Sequence, residues 1–160
     1  KSLNLAAADY GFAVTRTYEA VDDPADVKRN TDGSWTIRAG SRVRIRLQMV
    51  NQSNRYHVAL VDHLPAGIEI INPDLKVSGK VAADDEPPNT RYYGRWFDHQ
   101  NLRDNRIEAF QDLLYSGVYQ YSYVRTATTL GEFVTPPAKA EEMYSPETFG
   151  RSKTDFVKIQ

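Results

Sequence analysis

Cysteine is absent from the 160-residue chain. Disulfides, Cys-ligated zinc and a thiol nucleophile are therefore excluded within it. The absence does not fix a redox compartment, because a chain of this length buries roughly two thirds of its unfolded surface and folds without staples. An excess of basic charge is also missing: 20 Lys+Arg stand against 21 Asp+Glu, for a formal net charge of -1. Nucleic-acid binding draws on a basic surplus that releases counterions, so that class is disfavoured. No apolar run approaches the roughly 18–20 residues that cross a bilayer as a helix. There is no internal repeat and no low-complexity tract. The first residue is Lys1, with neither an initiator Met nor a signal peptide, which predicts a piece of something longer.

What is present is a period of two. Along Arg42-Val43-Arg44-Ile45-Arg46-Leu47-Gln48-Met49-Val50 the apolar residues fall on one face and the arginines on the other. This predicts a half-buried strand with one wet face, as antiparallel sheets allow. Val118 to Val124 is a second strong case, with Tyr119, Tyr121 and Tyr123 on a shared face. Further strands are predicted over Phe12–Tyr18, Trp35–Ile37, Tyr56–Val61, Ile68–Ile71, Tyr92–His99, Arg106–Phe110 and Phe156–Ile159. Asn101 to Asn105 reads as a hairpin loop, and Asp84 to Pro88 as an exposed acidic loop. Turn signals at Asp22-Asp23-Pro24, Asp32-Gly33, Ala39-Gly40, Pro65-Ala66-Gly67, Pro87-Pro88, Ser116-Gly117 and Pro136-Pro137 separate these elements. Many short strands spaced this way predict a single all-β, antiparallel sandwich over residues 1–160 with at most a short helical turn. Ala138 to Tyr144 is the segment expected to form that turn or two of helix before Pro146.

Chemistry-bearing patterns are thin. His57 and His63 flank one predicted strand, which at about 3.3 Å per residue holds them roughly 20 Å apart, too far for one zinc. His99 lies in another hairpin. No G-x-S-x-G elbow, G-x-G-x-x-G or G-x-x-x-x-G-K loop occurs. The acidic pairs Asp22/Asp23, Asp84/Asp85 and Glu141/Glu142 match no calcium loop, and consecutive carboxylates on a strand face opposite ways. Asn51-Gln52-Ser53 has the form of a glycosylation acceptor. Arg42, Arg44 and Arg46 form a basic stripe suited to phosphate or, more simply, to the solvent face of an outer strand. The tyrosine stripe suits stacking on sugars or the face of a packed sheet.

A set of segments in fixed order carries more information. These are Leu64-Pro65-Ala66-Gly67-Ile68-Glu69, Leu102-Arg103-Asp104-Asn105-Arg106, Tyr119-Gln120-Tyr121-Ser122-Tyr123 and Arg125-Thr126-Ala127-Thr128-Thr129. They are followed by Gly131-Glu132-Phe133-Val134-Thr135-Pro136-Pro137 and Ala140-Glu141-Glu142-Met143-Tyr144-Ser145-Pro146-Glu147. Together with the opening strand Gly11 to Tyr18, they resemble the C-terminal macroglobulin-type domain of bacterial alpha-2-macroglobulins, from about Asp9 to the end of the chain.

The resemblance implies an immunoglobulin-like, receptor-binding-like β-sandwich within a large exported protein, periplasmic or membrane-anchored. That protein would be a protease trap: a protease cuts a bait region, and, in those members of the family that carry one, an internal thioester in another domain captures it. With the balanced charge and the thin chemistry above, the expectation is a non-enzymatic domain that holds no cofactor or metal, binds no nucleic acid and is monomeric in isolation. It would pack against the thioester domain and meet target proteases through the full-length protein. Met143 and Tyr144 are the expected cover of the thioester, with Glu141 and Glu142 as interdomain contacts and Pro146 holding the segment out of regular helix or strand. The competing class is a stand-alone carbohydrate-binding or adhesin-type sandwich, resting on the tyrosine stripe. An enzyme has no coherent constellation behind it.

Overall fold

The alternation of Arg42–Asn51 becomes a ten-residue strand whose Val43, Ile45, Leu47 and Met49 are each at most 1% exposed. A computed structural model of the chain describes residues 3–69 and 96–160. Among the described residues there are three sheets. The first has four strands in the order β2 (Ala13–Ala20), β5 (Arg42–Asn51), β10 (Gly117–Ala127) and β7 (Ile68–Glu69). The second has six, in the order β1 (Ala8–Tyr10), β13 (Ser145–Arg151), β12 (Lys139–Glu142), β6 (Arg55–His63), β9 (Arg106–Leu114) and β8 (His99–Leu102). The third runs β11 (Gly131–Thr135), β14 (Asp155–Ile159), β4 (Trp35–Ile37) and β3 (Val27–Arg29).

The core gathers the inward faces of all three. Val43, Ile45, Leu47 and Met49 of β5 join Val58 and Leu60 of β6, Ile107 and Ala109 of β9, and Trp35, Ile37, Val157 and Ile159 of the third sheet. This is the burial that period-two patterning demands. Between these strands the pairing is antiparallel except that β14 runs parallel to β4, with Val157 opposite Trp35. Both strands bury the same alternate residues there, so one apolar face is shared across the parallel join.

The tyrosine stripe lies in this core. Tyr121 and Tyr123 sit opposite Leu47 and Ile45 and are 7% and 8% exposed. Trp96 packs on Tyr119 and Phe97 on Tyr121, with ring centroids 5.7 and 5.3 Å apart. No open aromatic platform is left at Tyr121 and Tyr123 for a sugar, so the residues behind the stand-alone binding module are structural.

The helix expected over Ala138–Tyr144 is replaced by a β-hairpin. Ala138 and Ala140 are fully buried, while the alternate residues Lys139 and Glu141 are half-buried. The segment therefore alternates, and β12 is laddered on both sides, to β6 and β13. Two sets of ladder hydrogen bonds outweigh the weak helix preference of an Ala/Glu/Lys-rich stretch. The helical turn that does form is a 3-10 turn at Pro24–Asp26, where the Asp23 carboxylate accepts from the Ala25 amide at 2.9 Å. Of the strand predicted over Tyr92–His99, residues 96–98 are not strand and β8 begins only at His99. Asn101 and Leu102, expected in the hairpin loop, pair with Glu108 and Ile107, because the ladder to β9 extends to the turn and leaves 103–105 as the loop. The predicted Ile70–Ile71 and Tyr92–Arg95, and the loop Asp84–Pro88, lie outside the described residues.

Candidate functional site

The β12–β13 hairpin reverses through two residues, Met143 and Tyr144, between the paired Glu142 and Ser145. The ladder then breaks: Glu141 pairs with Phe149, so Pro146, Glu147 and Thr148 have no opposite residue on β12. Proline is suited to such an interruption, since it donates no ladder hydrogen bond. Pro146 nonetheless falls inside β13 rather than in an irregular segment, because the strand resumes through Phe149 to Arg151.

The turn projects both side chains outward, Met143 at 43% and Tyr144 at 81% exposed. It is tied to the start of β6 at three points. The Met143 amide donates to the His57 carbonyl at 2.9 Å. The Glu142 carboxylate accepts from the Tyr56 amide at 2.8 Å. The Tyr144 ring meets the His57 imidazole edge to face, with centroids 4.9 Å apart and planes at 86°. His57 Nδ1 lies 3.5 Å from an Asp112 carboxylate oxygen on β9. Tyr56 adds its own ring to this tip at 58% exposure.

Three of the four residues singled out from the sequence, Glu142, Met143 and Tyr144, are thus brought together. Glu141 turns to the other side of β12, where it accepts from Lys139 Nζ at 2.6 Å. Lys139 in turn lies over the Phe149 ring, 5.2 Å from its centroid. Tyr56 and His57 were not readable as partners of this turn. His57 reads only as a surface histidine, and its φ of 50° is set by the tertiary fold.

Other candidates resolve into structure. Asn51 is 2% exposed, and its amide donates to the Ser53 and Tyr115 carbonyls, so it is no glycan acceptor in the folded chain. Arg42 pairs with Asp22, and Arg46 with Glu19 at 3.1 Å. His99 stacks on Phe110 with centroids 6.1 Å apart. Among the described residues no group of three or more His, Asp or Glu side chains is placed to hold a metal. A groove below β7, lined by Leu64, Pro65, Ala66, Ile68, Glu69, Asp104 and Asn105, contains no nucleophile–base pair.

The strongest electrostatic feature is buried. Arg16 of β2 reaches Asp62 of β6 at 2.6 Å and Asp155 of β14 at 2.8 Å, all three side chains being 1% exposed. It also donates to the Pro136 carbonyl at 2.9 Å, and the Tyr123 hydroxyl donates to the free Asp62 oxygen. One guanidinium therefore joins the three sheets. Burial pushes the Asp62 carboxyl above its ordinary range, against the opposing pull of Arg16 and Tyr123.

Burial also raises the neighbouring phenols. Tyr18 and Tyr123 are pushed well above their ordinary value of 10.0, and Tyr121 up to about 12. Groups with raised folded-state values favour the folded state below the unfolded value and lose that contribution as pH climbs through the folded one. As pH rises from 10 towards 12, near-ultraviolet tyrosinate absorbance is expected to show these three phenols still protonated while the fold lasts. They should then ionise together with the loss of structure. Full ionisation of all ten tyrosines with native circular dichroism intact would contradict the burial described.

Comparison with known proteins agrees with this architecture. Residues 11–147 match the family described as the bacterial alpha-2-macroglobulin MG10 domain. The chain is 31% identical over 147 residues to "Circularly permutated Ras protein 2" of Dictyostelium discoideum, covering 90% of the chain and 3% of that protein. It is 27% identical over 146 residues to an alpha-2-macroglobulin homolog of Nostoc, covering 89% of the chain and 7% of that protein. The chain thus spans less than a tenth of the length of either curated relative. Among solved structures, the Escherichia coli alpha-2-macroglobulin activated by porcine elastase aligns with a TM-score of 0.71 at 20% identity, over 98% of this chain and 14% of that one.

Proposed function

The chain belongs to the bacterial alpha-2-macroglobulin family as an MG10-type macroglobulin domain, and from this premise we propose that it is a non-enzymatic part of a protease trap that keeps water from an internal thioester. Met143 and Tyr144 are the covering side chains, and Glu142 helps to hold their turn in place. Glu141, on the other side of β12, is at most a flanking interdomain contact. The partner is the thioester domain of the same polypeptide. Target proteases meet the domain only through the whole protein, which is exported to the periplasm or held at its membrane.

One observation carries this reading. A large aromatic and a flexible thioether stand exposed on a turn that the rest of the fold braces. Exposed side chains of this size contribute little to their own core. They are good plugs for a dry pocket, because the aromatic loses little entropy on docking and the thioether adapts its shape. The elastase-activated state named for the Escherichia coli relative belongs to that protein and fits a trap sprung by cleavage.

The test is the double replacement Met143→Ala/Tyr144→Ala in the full-length protein. Consumption of the thioester by methylamine before any protease is added is expected to accelerate. Because both side chains are outside the core, melting of the domain should move by no more than about 0.5 kcal/mol in stability, as for ordinary surface changes. An unchanged methylamine rate rejects the shield. Unfolding of the domain by several kcal/mol would instead make the two residues part of its own packing.

A further inference from the structure

His57 is, among the described residues, the one non-glycine with positive φ, at 50°. Such a conformation is uncommon for a residue with a Cβ and persists where the surroundings over-determine it. The surroundings here are the Met143–Tyr144 turn and the end of β9. The backbone twist aims the His57 carbonyl at the Met143 amide, 2.9 Å away. It also sets the imidazole edge to face with the Tyr144 ring, 4.9 Å between centroids, and places Nδ1 3.5 Å from the Asp112 carboxylate.

A glycine would supply the twist without strain and without a ring. What the imidazole adds is contact with a phenol that is 81% exposed and would otherwise sample several rotamers. A plug that must close a pocket has to be held in one rotamer before its partner arrives, since ordering it on contact weakens the seal.

We propose that His57 is the positioning residue of the plug: its ring fixes Tyr144 in the orientation that covers the thioester, and Asp112 fixes the ring. This inference rests on the shielding role proposed for Tyr144. His57 itself touches no reacting atom. It acts through Tyr144, and its loss should be felt as a leak rather than as a loss of fold.

The experiment uses the full-length protein and three variants: Tyr144→Ala, His57→Asn and their combination. Asparagine tolerates positive φ, so His57→Asn keeps the twist and removes the ring. The readouts are the methylamine consumption rate before protease and the melting temperature. The expected result is a severalfold acceleration in His57→Asn at unchanged melting temperature. No further acceleration should appear when His57→Asn is added to Tyr144→Ala, because the two residues act as one unit. If His57→Asn also lowers the melting temperature, His57→Gly decides, since it relieves the backbone: acceleration at the parental melting temperature supports the proposal, and a parental rate overturns it. Acceleration in Tyr144→Ala with a parental rate in His57→Asn overturns the positioning role and leaves the shield standing. A parental rate in Tyr144→Ala, or a full-length protein without a thioester, overturns the shield and this inference with it.

Discussion

Replacing Arg16 with methionine is expected to cost about 3–5 kcal/mol of stability, the penalty for removing one member of a buried ion network. For a chain of this size that corresponds to a fall of roughly 6–20 °C in melting temperature. The reason is what remains behind. Asp62 and Asp155, both 1% exposed, would lose their shared cation at 2.6 and 2.8 Å, leaving two carboxylates in the core. Burial already raises Asp62 while Arg16 opposes it, so the variant's carboxyl should rise further. A raised folded-state value adds stability on the acid side, lost as pH climbs through that value. The Arg16→Met protein should therefore regain stability, relative to the parent, as pH falls through the variant's raised carboxyl range. A triple variant, Arg16→Met with Asp62→Leu and Asp155→Leu, should recover much of the loss, because no buried charge is stranded. Denaturant melts of the three proteins decide the matter. A single variant as stable as its parent would mean that the network is wet or dispensable.

The network also marks the limit of what the sequence declared. Period two made β5 readable to within one residue, and β4 at both ends, because apolar and polar residues strictly alternate there. The same period places Val14, Arg16 and Tyr18 on one face of β2, and Val58, Leu60 and Asp62 on one face of β6. A cation on one apolar face and an anion on another are the signal of a buried pair, and it was available. What was absent is the pairing of distant segments: sequence separations of 46 from Arg16 to Asp62 and 139 from Arg16 to Asp155 carry no local mark of contact. The β12 error has a related cause. Ala138 to Glu142 suits a helix locally, and its strand form is imposed by β6 and β13 on either side. At the candidate site, Met143 and Tyr144 were readable through family resemblance alone. Their support by Tyr56 and His57 depends on a positive φ that no pattern of side chains encodes.

Among the described glycines, Gly150→Ala should be the most damaging replacement. Gly150 lies on β13 between Asp9 of β1 and Ala140 of β12, and it is buried without needing a positive φ. Space is what it lacks. A Cβ there would lie 1.8 Å from the Phe12 carbonyl oxygen and 2.5 Å from the carbonyl carbon, so backbone rather than a yielding side chain must move. Phe12 is itself fully buried at the entry to β2. The expected loss is about 3 kcal/mol, the upper end for overpacking, with hydrogen-exchange protection falling first along β1 and β13. Gly40→Ala is the control: Gly40 has a φ of 82° and nothing within 4 Å, so its cost is conformational, about 1–2 kcal/mol, and confined to its turn. Trimming the Phe12 ring should not rescue Gly150→Ala, since the first atoms met belong to the peptide of Phe12. Because β13 begins where the Met143–Tyr144 turn ends, a displaced β13 carries that turn with it. On the shielding role proposed for that turn, Gly150→Ala in the full-length protein should accordingly quicken the methylamine reaction, and Gly40→Ala should not. Melting of Gly150→Ala within the range of Gly40→Ala would show that β13 and Phe12 are not held as close as described.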